Sequence, residues 1–450
     1  MNEKNKKNQN GIYDARELGA PKMFVLGVQH MFAMFGATVL VPIITGLSVS
    51  STLLFAGLGT LLFHLLTKRK VPAFLGSSFA FLGGYAAVKT LCEQQNVEHF
   101  SAYAGIGVAC AGLLYVLLSI LFKVFGPTKV MRYFPPIVTG PIIIAIGLTL
   151  SSSAIQNCEQ NWWIALVAIV IIIACNIWGK GMIKIIPILM GVIGSYIVAA
   201  VSGNVDFSNV ISAPWFGLPV NWEDTAFSVF GHGNASLIIT SVITIMPIAI
   251  ATIIEHIGDI CAISSTVERN YIEDPGLHRT LLGDGLATSM AALFGAPANT
   301  TYGENTGVLA LSKVYDPRVI RIAAYLAILF SFSPKFAALI NSMPAAVIGG
   351  VSLVLYGMIS AVGVRNVVEN AVDFTKSRNV IIAALILVLS IGINYSDVGA
   401  VVFTVGSITI SLSGLAVAAL TGIILNAVLP GKDYEFGINH KGDTSVNFEV

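Results

Sequence analysis

The chain has 450 residues, 55% of them hydrophobic and only 11% charged, with a mean hydropathy of +0.80. Soluble domains carry roughly 25% charged residues, so an ordinary soluble fold is excluded, and a net charge of +1 gives no reason to expect nucleic acid as a partner. Apolar runs of about 17–25 residues recur along the whole length, and the alternating strands of about 10 residues that mark a membrane barrel are absent. The expected class is therefore an all-α polytopic membrane protein. The five cysteines, Cys92, Cys110, Cys158, Cys175 and Cys261, show no CxxC spacing, so neither a metal site nor a disulfide framework is indicated. Cys92 and Cys158 are the pair whose expected outer-loop positions would permit a bridge.

In chain order, residues 1–20 form a polar, lysine-bearing tail. Spans are expected at about 22–46, 50–67, 72–89, 101–125, 134–153, 161–178, 184–202, 235–258, 279–296, 299–313, 318–334, 344–362, 379–394 and 403–428, and residues 429–450 form a second polar tail. The first segment is long and lacks a small-residue cleavage site, so it reads as a retained span. Fourteen spans place both termini on one side of the membrane. With that side cytoplasmic, only Lys89 and Lys335 of the 25 Lys and Arg residues are left outside. Removing the tenth span would reverse everything after it and spoil this bias, so the polar stretch Asn299–Lys313 is expected to cross.

The outer loop at 203–234 contains no Lys or Arg and divides the chain into 21–202 and 235–428, seven spans each. Because seven is odd, the second set enters from the opposite side. The third span of each set, 72–89 and 299–313, is short and interrupted by glycine. Paired interruptions at matching places in two halves point to a transporter site on inverted repeats; the alternative is a coincidence of two irregular helices.

Charge at membrane depth costs at least about 2.5–3.5 kcal/mol on insertion scales, so ionisable residues there line something. Four carboxylates lie at or near that depth: Glu255, Asp259, Asp284 and Glu304. None has a Lys or Arg at helical spacing, and low dielectric favours the neutral form of a carboxylate, which suits proton uptake and release. Thr252, Glu255 and Asp259 share one helix face, with His256 turned about 100° away. Asp259 also reads as a helix-end residue near the cytoplasmic surface, and His256 and Asp284 as structural. Gln29 and His30 in the first span read either as a polar pair fastening helices or as part of a proton relay. In the third span Gly76-Ser77-Ser78-Phe79 places small residues before an aromatic. A broken backbone there, and at Gly303 in the tenth span, would leave N–H groups at half-helix N-termini where acceptors are favoured. A planar polar ring fits such a site. Carboxylates accept from its N–H groups, amides donate to its carbonyls, and Phe79 or Tyr302 packs on its face. No nucleophile–base pair at helical spacing and no HExxH is present, so an enzyme is not expected, nor any cofactor.

Four segments together carry a resemblance: Gln29-His30, V-P-A-F-L-G-S-S-F at 71–79, E-H-I-G-D at 255–259, and G-E-N-T-G-V-L-A-L-S-K at 303–313. The chain resembles the nucleobase–ascorbate transporter family over almost its whole length, most of all its bacterial uracil permease branch. In the tenth-span motif, Glu304, Asn305, Gly307, Ser312 and Lys313 occupy the family positions. The resemblance implies two inverted seven-span repeats. Spans one to four and eight to eleven would form a core domain, and spans five to seven and twelve to fourteen a gate domain. It further implies short antiparallel strands in the third and tenth spans with substrate between them. Glu255 and Glu304 would be the substrate-binding glutamates, with Phe79 and Gly303 as amide donors and Ser78 and Tyr302 beside them. His30, Asp259 and the two glutamates would form the proton-coupling set, and Gln29, Asn305 and Gly307 would shape the site. The expected activity is proton-coupled uracil import across the bacterial cytoplasmic membrane, by a homodimer in membrane lipid. Asp259 stands where some uracil permeases have histidine and many purine members have aspartate, whereas Glu304 stands where purine members commonly have glutamine. Xanthine or another purine is thus the alternative substrate, and an anion transporter of related fold the alternative class.

Overall fold

Capping residues divide the apolar sequence into helices in the computed structural model, which describes residues 11–231, 233–405, 408–432 and 434. Helix α1 (Ala20–Thr45) has Pro21 in its first turn and stops at Gly46, whose φ of 83° suits glycine. Ser48 caps α2 (Val49–Leu66) by accepting from Ser51 N. After α2 comes strand β1 (Leu75–Ser77), a single turn at Phe79–Phe81 and α3 (Leu82–Gln94). Next are α4 (Phe100–Phe125), α5 (Pro136–Glu159), α6 (Trp162–Trp178) capped by Asn161, and α7 (Pro187–Val201). The second half begins with α8 (Ala235–Val267), capped by Asn234 and tightened at Met246–Ile248, then α9 (Leu277–Leu293). Strand β2 (Asn299–Thr301) leads into α10 (Gly303–Ser312). Helices α11 (Pro317–Ser331) and α12 (Pro334–Asn341) meet at 90°. The chain continues with α13 (Ala345–Glu369), α14 (Ser377–Asn394), the hairpin β3 (Ala400–Val405) and β4 (Ile408–Ser413), and α15 (Gly414–Val428).

Among the described residues seven helices, α1, α2, α4, α5, α8, α13 and α14, are long and apolar enough to cross a membrane, and α11 and α12 pass only when taken together. Helices α6, α7 and α15 are apolar but shorter. The helices sort into two packing groups. One holds α1, α2, α4, α8, α9, α10 and α11, with α9 laid against α2 and α4, and α11 against α1 and α2. In the other, α13 packs on α5 and α6, α14 on α5 and α15, and α6 on α7.

Three expectations need correction. The last span was expected at 403–428, but its helix begins only at Gly414, where Ser413 accepts from Ala416 N. Residues 400–413 are rich in Val, Thr and Ile around a Gly-Ser pair, and they form an antiparallel hairpin from Ala400↔Ser413 to Val405↔Ile408. Residues 1–20 were expected as a tail, but Ile12–Leu18 are built into the fold: Ile12 N donates to Lys313 O (2.7 Å) and Tyr315 N to Ile12 O (2.8 Å). Residues 1–10 and most of the tail at 429–450 lie outside the described residues. Finally, Cys92 and Cys158, expected in outer loops, lie in the helices α3 and α5, both free and buried.

Candidate functional site

Strands β1 and β2 lie antiparallel in the first packing group, Leu75 opposite Thr301, Gly76 opposite Thr300 and Ser77 opposite Asn299. Two further backbone bonds extend the pair, Ser78 N to Ala298 O (2.9 Å) and Tyr302 N to Phe74 O (3.1 Å). A two-stranded ribbon within a membrane domain has two bare edges, and their polar groups need partners in the protein. Helix hydroxyls supply them. Thr60 Oγ1 of α2 accepts from Leu75 N (2.9 Å), Tyr85 Oη of α3 accepts from Ala298 N (2.9 Å), and Thr288 Oγ1 of α9 donates to Asn299 O (2.5 Å). Ser77 Oγ donates to Thr38 O of α1, and Asn299 Nδ2 to Phe55 O of α2. Gly76 has to be glycine: a Cβ there would sit 2.6 Å from both Thr38 Oγ1 and the Tyr302 ring. From the antiparallel ribbon the chain runs directly into α10 at Gly303 and, through the single turn Phe79–Phe81, into α3 at Leu82, whose N–H donates to Phe79 O.

Helix α8 packs against β2 and α10. From Thr252 to Ile260 every residue of α8 is buried except Glu255, Gly258 and Asp259, which are half-buried. Spaced by three and four, these share one face, and that face opens where Gly303 is exposed at the start of α10. Asp259 Oδ2 accepts from Thr301 Oγ1 of β2 (2.8 Å). A Cβ built on Gly303 would lie 3.6 Å from Asp259 Oδ1. Asp259 therefore belongs to this recess and not to a solvated helix end. The buried face of α8 carries a second constellation, in which His256 Nδ1 lies 2.9 Å from Asp284 Oδ2 of α9, both side chains fully buried. Thr301 Oγ1, 3.4 Å from His256 Nδ1, stands between the two carboxylates. The sequence signal for Thr301 was a hydroxyl pair in a polar stretch beside Gly303; Tyr85, Thr60 and Thr288 carried none.

The other expected residues divide. Asn305 Nδ2 donates to His30 O (3.1 Å) and lies 3.2 Å from His30 Nδ1, so α1 and α10 are fastened at His30. His30 Nε2, Asn305 Oδ1 and Ser78 Oγ are buried without a hydrogen-bond partner among the described residues. Gln29 points elsewhere, its Nε2 donating to Met182 Sδ (2.6 Å). Tyr302 is a pin for the ribbon, its hydroxyl donating to Ser77 O (2.7 Å) with the ring buried against Gly76. Among the described residues, leaving aside the backbone of its own helix, no atom lies within 4 Å of where a Cβ on Gly307 would sit. Glu304 is the second residue of α10, and its side chain lies outside what the structure describes. Phe79 meets Tyr356 of α13 edge to face at 5.8 Å. It lines a cleft between the packing groups, of about 370 Å³ including its open mouth, together with Ile146 and Thr149 of α5 and Ile248 of α8. That cleft reaches Phe79 but not Glu255.

Known proteins match this chain throughout. The Xan_ur_permease family, described as a permease family, matches residues 21–399. A uracil permease of Bacillus caldolyticus is 42% identical over 90% of this chain and 92% of its own length. A uracil permease of Bacillus subtilis (strain 168) is 39% identical over 92% of this chain and 94% of its own. A putative pyrimidine permease of Escherichia coli (strain K12) is 38% identical over 91% and 89%. Two solved structures share the fold at low identity. The transmembrane domain of a cyanobacterium bicarbonate transporter gives a TM-score of 0.56 at 16% identity, covering 93% of this chain and 99% of that one. The murine anion transporter Slc26a9 in the inward-facing state gives 0.57 at 10%, covering 90% and 67%.

Proposed function

Because the chain belongs to the nucleobase–ascorbate transporter family, a family of multi-pass membrane permeases, we propose that it imports uracil across the bacterial cytoplasmic membrane together with a proton. The observation that carries this reading is the half-buried face of α8, with Glu255 and Asp259 opening beside the β1–β2 ribbon and Gly303. Glu255 and Glu304 accept from the two ring N–H groups, the amides at Phe79 and Gly303 donate to the carbonyls, and Phe79 packs on the ring, with Ser78 Oγ at hand. The proton is shared among Glu255, Glu304, Asp259 and His30. Asn305 shapes the site through His30.

The same reading assigns fourteen spans in two inverted repeats, 21–202 and 235–428, with both termini cytoplasmic. The packing group around the ribbon is the core domain that moves against the other group as a gate. The homodimer follows from the family alone. Sharing a fold with anion transporters does not argue for an anion here, since carboxylates at 255 and 304 would repel it. Xanthine is the closer rival, favoured by Asp259 and opposed by Glu304.

Glu255→Gln and Glu304→Gln test the site through radiolabelled uracil uptake. A hydrogen bond to a charged group is worth about 1.5–3 kcal/mol, so each variant should lose roughly 10- to 100-fold in uracil affinity. Wild-type uptake in both variants would remove the basis of the proposal.

A further inference from the structure

One segment outside the site is built with unusual care and yet turns its side chains outward. Between Asp206 and Glu223 the chain has no charged residue. Its backbone is tied to the corner between α11 and α12. Gly217 N donates to Phe332 O (3.0 Å) and Lys335 N to Pro214 O (3.0 Å). Lys335 Nζ donates to Val210 O (3.0 Å) and Ile211 O (3.2 Å), within the short helix Ser208–Ser212, and lies 5.2 Å from the centre of the Trp215 ring. Phe207 meets Tyr196 of α7 edge to face at 6.3 Å. On this fixed backbone Ile211 is 77% exposed, Trp215 70%, Phe216 83% and Leu218 87%.

The 90° turn between α11 and α12 supplies the orientation. With α11 as the expected eleventh span, α12 at 90° to it runs along the membrane surface, and the Ser208–Ser212 helix packs on α12. The segment also reaches α7 through Phe207 and Tyr196, and Val201 at the end of α7 is exposed as well. Trp gathers at the boundary between headgroups and acyl chains, and the apolar faces of surface helices, with Trp, Phe and Leu, sink into it. We propose that residues 207–218 and α12 form an interfacial module seated in one leaflet, its occupant the phospholipid headgroup–acyl boundary. Trp215, Phe216 and Leu218 enter the apolar side, while Lys335 stays with the backbone carbonyls. This anchors the ribbon-bearing packing group to the bilayer at the α11–α12 corner.

The test uses the full chain with Trp215 as its sole tryptophan (Trp162→Phe, Trp163→Phe, Trp178→Phe and Trp222→Phe). The variant is reconstituted into phosphatidylcholine vesicles carrying bromines at shallow or deep acyl positions. Trp215 should lose most of its emission to shallow bromines, less to deep ones, and be shielded from aqueous iodide. Quenching by iodide without an effect of bromolipid would place the ring in water and overturn the proposal. Resistance to both quenchers, as a ring covered by a second copy of the chain would show, overturns it equally. If the fourfold variant does not fold, the difference in quenching between the wild type and Trp215→Phe reports on the same ring.

Discussion

Tyr85 illustrates how much of the site depends on single hydroxyls. Its oxygen is the acceptor for Ala298 N, at the point where the chain turns into β2, and both residues are buried. Tyr85→Phe keeps the ring and strands that N–H, which costs about 1–3 kcal/mol when no water can replace the partner. The expected outcome is a lower midpoint of thermal unfolding in detergent; an unchanged midpoint would mean that the ribbon does not need this bond. The residues that accept or donate around the ribbon were illegible in the sequence, because a Thr or Tyr on an apolar helix looks the same whether it meets a backbone group or its own preceding turn. The face of α8 was legible in part: Glu255 and Asp259 are related by the helix period itself, but Thr252, expected beside them, is buried. The pairing of His256 with Asp284 joins two helices, and no local spacing encodes it.

At the scale of elements, the segment Ile12–Leu18 ties the end of α10 to its neighbours. Tyr13 Oη donates to Val267 O at the end of α8 (2.7 Å), the Arg269 guanidinium lies 4.0 Å from the centre of the Tyr13 ring, and Ala15 N donates to Asp316 Oδ2 (2.7 Å). Asp14 joins Arg16 to Arg318. The hydrogen bond from the Arg16 guanidinium, aided by the Arg16 and Arg318 charges, holds the Asp14 carboxyl well below the usual carboxylate range. A lowered folded-state pKa gives a contribution that is fully present above the unfolded value, about 3.9, and is lost only as pH falls through the folded one. The clasp should therefore be insensitive to pH wherever transport is measured. Hydrogen exchange over residues 12–18, corrected for intrinsic rates, should show equal protection at about pH 5 and about pH 8 in the wild type, and less protection at both in Asp14→Asn. A wild-type loss of protection between those values would contradict this assignment. The sequence missed the clasp because its contacts reach residues some 300 positions away, and local polarity resembles that of a free tail. Likewise the β3–β4 hairpin was read as the start of a span, since short Val- and Ile-rich runs do not distinguish strand from helix by apolarity alone.

For the whole molecule, composition and apolar runs sufficed to recognise a polytopic helical membrane protein, and the four matching segments sufficed for the family. Composition and helix spacing do not show the two packing groups, which entered the sequence reading only through the resemblance: α4 and α5 are neighbours in the chain but belong to different groups. That division gives transport its simplest physical form. On the proposed reading, moving the ribbon-bearing body against the second one would open the recess beside α8 to either side. The rigid hydroxyl-anchored ribbon would then travel as a unit, carrying Glu255, Asp259 and Gly303 with it.

The central claim is most directly tested by radiolabelled uracil uptake into proteoliposomes holding the purified protein, with and without an inward proton gradient, using unlabelled uracil and xanthine as competitors. The account predicts uptake that the gradient stimulates and that uracil blocks while xanthine does not. Uptake indifferent to the gradient would contradict proton coupling, and uptake of xanthine in place of uracil would show that Asp259, not Glu304, marks the substrate.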